Sequence, residues 1–346
     1  MDKVPIFLNE WDLGEMDELL LVVVGTTDVS TIPGVSIAGP TPEATLYTPT
    51  LDVEYLVTGR PLTLDVIPVT PTGIPTPALV TRALAKGLPK LVVDAGCRYP
   101  PKIPVVHLGG IHGGDIRRGA LPREVVERLV ERGRILGRGL APLRLAIGES
   151  IPGGTTTAMA QLVALGYDAW GRTSSASPHN PKELKIAIVK EAVSRLKIPA
   201  DAVTAAAEVG DPVHISVAAI ALGAVEEGAE VILAGGTQMA AAAALYKALG
   251  GDPGRLTVAT TRWIVEDRSA DFMGLMREVG VGRVVYSNSS FAASRFEGLR
   301  AYEAGYVKEG VAMGYALWRA ERRGQDVLRL VEEEYMRVTK AGGAGR

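Results

Sequence analysis

Short apolar runs recur along this chain. Each ends in a polar or glycine-rich loop, and most lead into a stretch with helical spacing, which limits what the chain can fold into. Residues 18–24, Glu-Leu-Leu-Leu-Val-Val-Val, run into Gly25-Thr26-Thr27-Asp28. Leu91–Asp94, Val105–Leu108, Leu143–Ile147, Val231–Ala234, Leu256–Thr260 and Val284–Tyr286 read the same way. Runs this short, bounded by turn signals and rich in β-branched residues, are strands buried on both faces. Residues 121–136 carry Val125, Val126, Leu129, Val130 and Ile135 at helical spacing between charges, which predicts an amphipathic helix. Further helices are expected over 78–86, 155–165, 238–248, 271–279, near 294–304 and over 326–339, with two or three more before Glu227. Strands alternating with helices require right-handed crossovers. The expected fold class is therefore α/β: a Rossmann-like, mainly parallel sheet with helices on both faces, plus a smaller part from the chain ends. Residues 31–77, rich in Pro, Thr and Gly, show no strong helical period and are expected to form loops and short strands. The expected organisation is one α/β domain over 1–346, with 143–305 the regular core and 306–346 C-terminal helices.

Composition removes several function classes. The 37 basic and 39 acidic residues nearly cancel, which argues against a general electrostatic grip on nucleic acid or on an anionic membrane. No apolar run reaches about 18 residues, the length of a membrane span. The opening Met1-Asp2-Lys3-Val4-Pro5 lacks the basic and apolar regions of a signal peptide, so the expected location is the cytoplasm. The single Cys97 excludes a disulfide framework and a cysteine-rich zinc site. Asn and Gln are scarce, three of each, while Arg and Pro are frequent, which suggests a thermophilic source.

In a parallel sheet of this kind, ligands bind beyond the carboxyl ends of the strands. Here those ends carry Glu149 with Gly153-Gly154, then Gly235-Gly236-Thr237, then Thr260-Thr261-Arg262, then Ser287–Ser290. Their convergence on one crevice weighs more than any single motif. Gly153, Gly154, Thr155 and Thr156 open a helix, and so do Gly235, Gly236 and Thr237. Glycines let backbone approach a ligand, and the free N–H groups of a helix start favour an anion such as phosphate. Each loop also reads as an ordinary tight turn. Neither has a P-loop lysine or the spacing of a dinucleotide fingerprint. Glu149 at a strand end and Glu309 at an expected helix start are the candidate acid–base groups; a solvated charge is the plainer reading of Glu309. Thr260, Arg262, Ser287, Ser289 and Gly310 complete the candidate site.

The other polar residues carry less. His107 and His112, with Asp115 nearby, do not share a helical face, so loop or core histidines describe them better than a metal site. His179 lies in a polar loop and is a candidate ligand contact. His214 opens a helix and reads as structural, as does Cys97, which has no evident catalytic partner. Trp263 reads as core packing ahead of stacking on a flat ligand.

Three segments together resemble a known family. Ile147-Gly148-Glu149-Ser150-Ile151-Pro152-Gly153-Gly154-Thr155-Thr156-Thr157-Ala158 resembles the Gly-Glu-Met-Gly-Ile-Gly-Asn-Thr-Thr-Ala segment of nicotinate-nucleotide–dimethylbenzimidazole phosphoribosyltransferases. Gly235-Gly236-Thr237-Gln238-Met239-Ala240-Ala241 is similar to their Gly-Gly-Phe-Glu-Ile-Ala-Ala. Glu309-Gly310-Val311-Ala312-Met313-Gly314-Tyr315-Ala316-Leu317 is similar to their late Gly-Glu-Gly-Ser-Gly-Ala-Ala-Leu, which carries the catalytic Glu. The likeness covers about 145–320 and looks most like a divergent archaeal branch. Lys308 stands where the family has glycine, and Gln238 where it often has Glu or Asp. The N-terminal third shows no match to the base-binding region.

The resemblance implies a reaction: nicotinate mononucleotide plus 5,6-dimethylbenzimidazole gives α-ribazole 5′-phosphate plus nicotinate, in assembly of the cobalamin lower ligand. It further implies Glu309 as general base and Glu149 as its companion. No metal and no cofactor are implied, the partners are small-molecule substrates, and the assembly is a homodimer. The alternative is a non-catalytic nucleotide-binding or regulatory protein on the same fold.

Overall fold

The computed structural model describes residues 17–70 and 72–343; of 341–343 it describes only the backbone. The opening residues, read above for a leader, lie outside the described residues. The chain enters as β1 (Glu18–Gly25), whose continuous apolar run is buried on both faces. A one-turn helix α1 (Pro42–Thr45) and then α2 (Thr48–Thr58) and α3 (Pro77–Leu84) follow. Next come β2 (Lys90–Gly96), the short β3 (Val106–His107) and the amphipathic α4 (Arg123–Gly139). β4 (Arg144–Ser150) leads into α5 (Gly154–Ala164), then α6 (Lys182–Val193), α7 (Ala202–Val209) and α8 (Pro212–Glu226). The regular part ends with β5 (Glu230–Ala234), α9 (Gln238–Ala248), β6 (Leu256–Thr261), the one-turn α10 (Arg262–Val265), α11 (Phe272–Val279) and β7 (Arg283–Ser287). A single turn α12 (Glu297–Arg300), α13 (Met313–Arg322) and α14 (Val327–Gly343) close the chain.

The seven strands form one sheet in the order β3-β2-β1-β4-β5-β6-β7, and every neighbouring pair is parallel. The order reverses between β1 and β4, which makes that edge the switch point where such sheets open a crevice. One core fills the face covered by α4, α5, α8, α9 and α11. A second fills the other face, under α2, α3, α13 and α14. The two ends of the chain therefore build one layer together. Glu18 at the start of β1 accepts from Tyr315 and Arg319 of α13 and from Arg323. Tyr55 of α2 donates to Glu334 of α14 at 2.6 Å. Among the described residues no helix is long and apolar enough to cross a membrane.

Two expectations are corrected. Residues 31–77 hold α2, an eleven-residue helix. Its period is masked because it buries polar and apolar residues alike, Thr50, Asp52 and Glu54 beside Val53, Tyr55 and Leu56. The Glu54 carboxylate is retained inside because it accepts from the Leu62, Thr63 and Lys102 N–H groups. Near 294–304 the helix is only α12 followed by a 3-10 turn over Ala301–Ala304. There the Glu303 carboxylate is drawn to Arg262 and to the Phe291 N–H, and a Cβ on Gly298 would sit 1.8 Å from the Gly73 carbonyl oxygen.

Candidate active site

Parallel pairing carries the ends of β4, β5, β6 and β7 to one edge of the sheet, as the convergence argument requires. Glu149 is the penultimate residue of β4 and is buried. Its Oε2 accepts from the Ile151 N–H at 3.1 Å and its Oε1 from Gln238 Nε2 at 3.1 Å. Burial pushes its pKa up to about 7, although the nearby His214 pulls the other way.

Glu309 does not open a helix; α13 begins at Met313. The segment before it is strained. Val307, Lys308, Val311 and Ala312 all take positive φ, between 52° and 66°, and are the only non-glycine residues to do so among the described residues. For β-branched Val307 and Val311 this is a true outlier, a conformation that persists only where the surroundings impose it. The imposing contacts are visible. Val311 N–H donates to the Glu149 carbonyl at 2.8 Å, and Thr81 donates to the Val311 carbonyl at 2.8 Å. A Cβ on Gly148 would lie 2.6 Å from the Ala312 methyl, so only glycine in β4 admits this loop.

The strain sets the Glu309 carboxyl against the first turn of α13. Its Oε1 accepts from the Gly314 N–H at 2.9 Å and the Gly310 N–H at 3.2 Å. Its Oε2 is shut off from solvent with no hydrogen-bond partner. Burial pushes its pKa up to about 8; the Gly314 and Gly310 N–H groups pull it back, and the charge of Glu149 adds to the rise. Buried polar atoms are nearly always paired, so an orphaned carboxyl oxygen at a sheet edge is a feature that needs an explanation. Two more buried side-chain oxygens without a partner belong to expected site residues, Thr156 at the start of α5 and Thr260 at the end of β6.

The two glycine loops lie beside the carboxyls. A Cβ on Gly236 would reach 3.7 Å from Glu309 Cβ, and one on Gly154 would lie 2.0 Å from Gln238 Oε1. Helices α5 and α9 both open without a side-chain cap, α5 from Gly153 at φ 77°. The Gly154, Thr156 and Met239 N–H groups turn back onto the carbonyls of Ile151, Gly153 and Gly236, which leaves those of Thr155 and Gln238 in the first turns for a ligand. Thr237 is buried and accepts from the Ser174 N–H at 3.0 Å, which ties the 171–181 loop to the site. Gly310, at φ 142°, passes against Pro77.

Other expected residues are committed elsewhere. The Ser287 and Ser289 hydroxyls both donate to Glu321 of α13. Arg262 is held by Glu303 and Glu266 and donates to the Ser289 carbonyl. Thr155 is half-buried beside Thr156. Trp263 packs against Phe291 and Tyr302, the core reading. His179 is exposed, and His112 bridges Thr26 and Asp28. Burial raises the Cys97 thiol well above its usual range, which disfavours the reactive thiolate. Among the described residues no group of three or more His, Cys, Asp or Glu side chains could hold a metal ion.

Two features escape the sequence. Asp52 of α2 accepts from Thr76 and, at 2.8 Å, from the Ser150 hydroxyl, and burial pushes it up to about 6. Its charge is felt at Glu149, so a third carboxyl belongs to the cluster. His214 is fully buried and reaches Glu149 through Gln238.

Comparison with known proteins completes the picture. No family model matches the chain. A UPF0284 protein of Pyrobaculum calidifontis is 65% identical over 322 residues, 92% of this chain and 96% of that protein. One from Pyrobaculum aerophilum is 64% identical over 330 residues, covering 95% and 98%. One from Pyrococcus furiosus is 47% identical over 337 residues, covering 93% and 99%. Among solved structures, nicotinate-nucleotide–dimethylbenzimidazole phosphoribosyltransferase from Thermus thermophilus superposes with a TM-score of 0.61 at 18% identity, over 91% of this chain and 82% of that one. CobT from the same organism gives a TM-score of 0.62 at 20% identity, over 91% and 83%. At such identities the likeness is one of fold.

Proposed function

The chain belongs to the UPF0284 family and has the fold of a nicotinate-nucleotide–dimethylbenzimidazole phosphoribosyltransferase, and from that premise we propose that it transfers the 5-phosphoribosyl group of nicotinate mononucleotide to 5,6-dimethylbenzimidazole or a related base. The products are α-ribazole 5′-phosphate and nicotinate, and the setting is assembly of the cobalamin lower ligand. The observation that carries this reading is the orphaned Glu309 carboxyl, set beside Glu149 between two glycine-opened helix starts.

The chemistry matches the groups at hand. Within 153–157 and 235–237, the backbone N–H groups not drawn into the turns, those of Thr155, Gly236 and Thr237 among them, hold the single phosphate. A benzimidazole ring nitrogen forms the new bond to C1′ of the ribose, and the N–H proton of the ring passes to the Glu309 carboxylate. The old C1′–N bond breaks with its electron pair moving to the pyridinium nitrogen, so nicotinate leaves with a neutral ring and needs no acid. Glu149 stabilises the positive charge that develops at C1′. With a pKa of about 8, Glu309 is largely protonated in the free protein at neutral pH. The cationic pyridinium of the incoming substrate favours its ionised form, so the base is armed when the substrate arrives.

The test is incubation with nicotinate mononucleotide and a panel of benzimidazoles and purines, followed by mass spectrometry. A new α-nucleotide together with free nicotinate supports transfer. Tight binding with no nicotinate released refutes it in favour of a non-catalytic nucleotide-binding protein.

A further inference from the structure

Behind Glu149 runs a chain of buried polar groups that phosphoribosyl transfer does not by itself require. Asp211 caps α8, its Oδ1 accepting from the Val213 and His214 N–H groups at 2.9 Å each. Its Oδ2 accepts from the Thr157 hydroxyl at 2.6 Å and lies 2.8 Å from His214 Nδ1. On the other side of the ring, Nε2 lies 2.8 Å from Gln238 Oε1, and Gln238 Nε2 in turn donates to Glu149 Oε1. Gln161 Oε1, 2.7 Å from Nδ1, adds a second acceptor there. The side chains of His214 and Asp211 have no exposed surface at all. The row is boxed in by absent side chains: a Cβ on Gly210 would lie 2.4 Å from Gln161 Nε2, and one on Gly154 would lie 2.0 Å from Gln238 Oε1.

Donor and acceptor counting decides the protons. An ionised Asp211 can only accept, so Nδ1 carries a hydrogen. With the Gln238 oxygen toward the ring, Nε2 carries one too, and His214 is an imidazolium. The amide NH2 then faces an ionised Glu149. Turning the amide would set its oxygen against a Glu149 oxygen, an arrangement that exists only if Glu149 is protonated and the ring is neutral. The orientation of Gln238 and the charges at its two ends are therefore linked. Burial opposes charge on the ring, but Asp211 and the hydrogen bonds to Asp211 and Gln238 outweigh it, so the His214 pKa lies above its ordinary value. Three carboxyls oppose a charge on Glu149: Asp211 itself, whose direct effect there is smaller than that of His214; Asp52 from α2; and Glu309 from the loop before α13, where the repulsion shows as a raised Glu309 pKa.

We propose that His214 is a positioning residue for this site: pinned as an imidazolium by Asp211, it fixes the Gln238 amide and so holds Glu149 as an ionised, oriented carboxylate. The proposal rests on the reading of Glu149 as the group that faces the developing charge at C1′. It also gives Gln238 a purpose, since a carboxylate at that position would repel Glu149.

The experiment follows ring-15N-labelled histidine by NMR, in a chain with only four histidines, beside the pH profile of nicotinate release. Wild-type His214 is expected to carry hydrogen on both ring nitrogens at neutral pH. Asp211→Asn keeps an oxygen for the α8 cap and withdraws the charge. It should give a neutral ring at the same pH and, at saturating nicotinate mononucleotide, where Glu309 is already ionised, move the acid limb of turnover to higher pH, with little change in KM for nicotinate mononucleotide. Gln238→Met should move the same limb while leaving the imidazolium in place. A neutral wild-type ring overturns the proposal, and so does an acid limb unmoved in both variants. Should no form release nicotinate, the transfer reading fails and the ring decides alone: Glu149→Gln must lower the His214 titration, and an unmoved one overturns the link.

Discussion

Replacing Glu309 by Gln should stabilise the protein at high pH and not at low pH. The Glu309 pKa is about 8 in the folded chain against an ordinary 4.5. Between those values the folded protein retains a proton that the unfolded chain has released. The stability this group contributes is complete below pH 4.5 and is lost as the pH rises to about 8. At about 1.4 kcal/mol for each pH unit, the interval makes the loss on the order of 5 kcal/mol. An amide in place of the carboxyl would have no such slope. Its oxygen can still accept from the Gly310 and Gly314 N–H groups, but its NH2 would occupy the site of the orphaned Oε2. An unpaired buried amide costs about 1–3 kcal/mol at any pH. The variant should therefore be equal to or less stable than wild type near pH 5, and more stable by a few kcal/mol near pH 9. Guanidinium unfolding at matched ionic strength across that range measures the crossing. A stability difference that stays flat with pH would refute the buried-carboxyl reasoning. In the same protein, turnover should fall by about 10²–10⁴-fold, the usual worth of a general base; near-normal turnover would move that role to Glu149.

Three further outcomes follow from the geometry. Gly236→Asp sets a second carboxylate beside Glu309 in the loop proposed to take the phosphate, so nicotinate mononucleotide affinity should collapse in calorimetry while the circular dichroism spectrum is unchanged. Gly148→Ala drives a methyl to 2.6 Å from that of Ala312. Unfolding should then cost about 1–3 kcal/mol less, and turnover should fall because the loop that carries Glu309 is displaced. The pH profile of kcat/KM in the wild type should rise as Glu309 ionises through about 8; a flat profile from pH 6 to 9 would remove Glu309 as the base.

Much of this architecture is legible in sequence because a parallel strand announces itself. Leu19–Val24 has no polar residue, and glycine closes the run. Glu149 and the Gly235-Gly236 loop stand out because they sit where such strands stop. Asp52 does not, because α2 buries Asp and Glu beside Val and Leu and so shows neither a polar face nor an apolar one. His214 reads as structural for a related reason. Helix α8 is buried from Pro212 to Val225, so nothing in its pattern tells which way the ring points. Ser287, Ser289 and Arg262 look available in a linear reading. Their partners, Glu321 and Glu303, arrive from later segments that the fold returns to the β7 edge.

A ribosome delivers β1 and α2 long before α13 and α14, yet these segments pack together. Glu18 waits for Arg319, and Tyr55 for Glu334, each separated by some 280–300 residues of chain. During synthesis, the face of β6 and β7 and the side of α3 that α13 covers stay open to solvent. Contacts so distant in sequence close slowly, and an uncovered apolar face is what aggregation and chaperones seize on. The loop of Glu309 takes its shape only against Gly148 and Pro77, so the site is completed in the same late event. A chain made only as far as α9 carries Glu149 and both glycine loops, but it lacks Glu309.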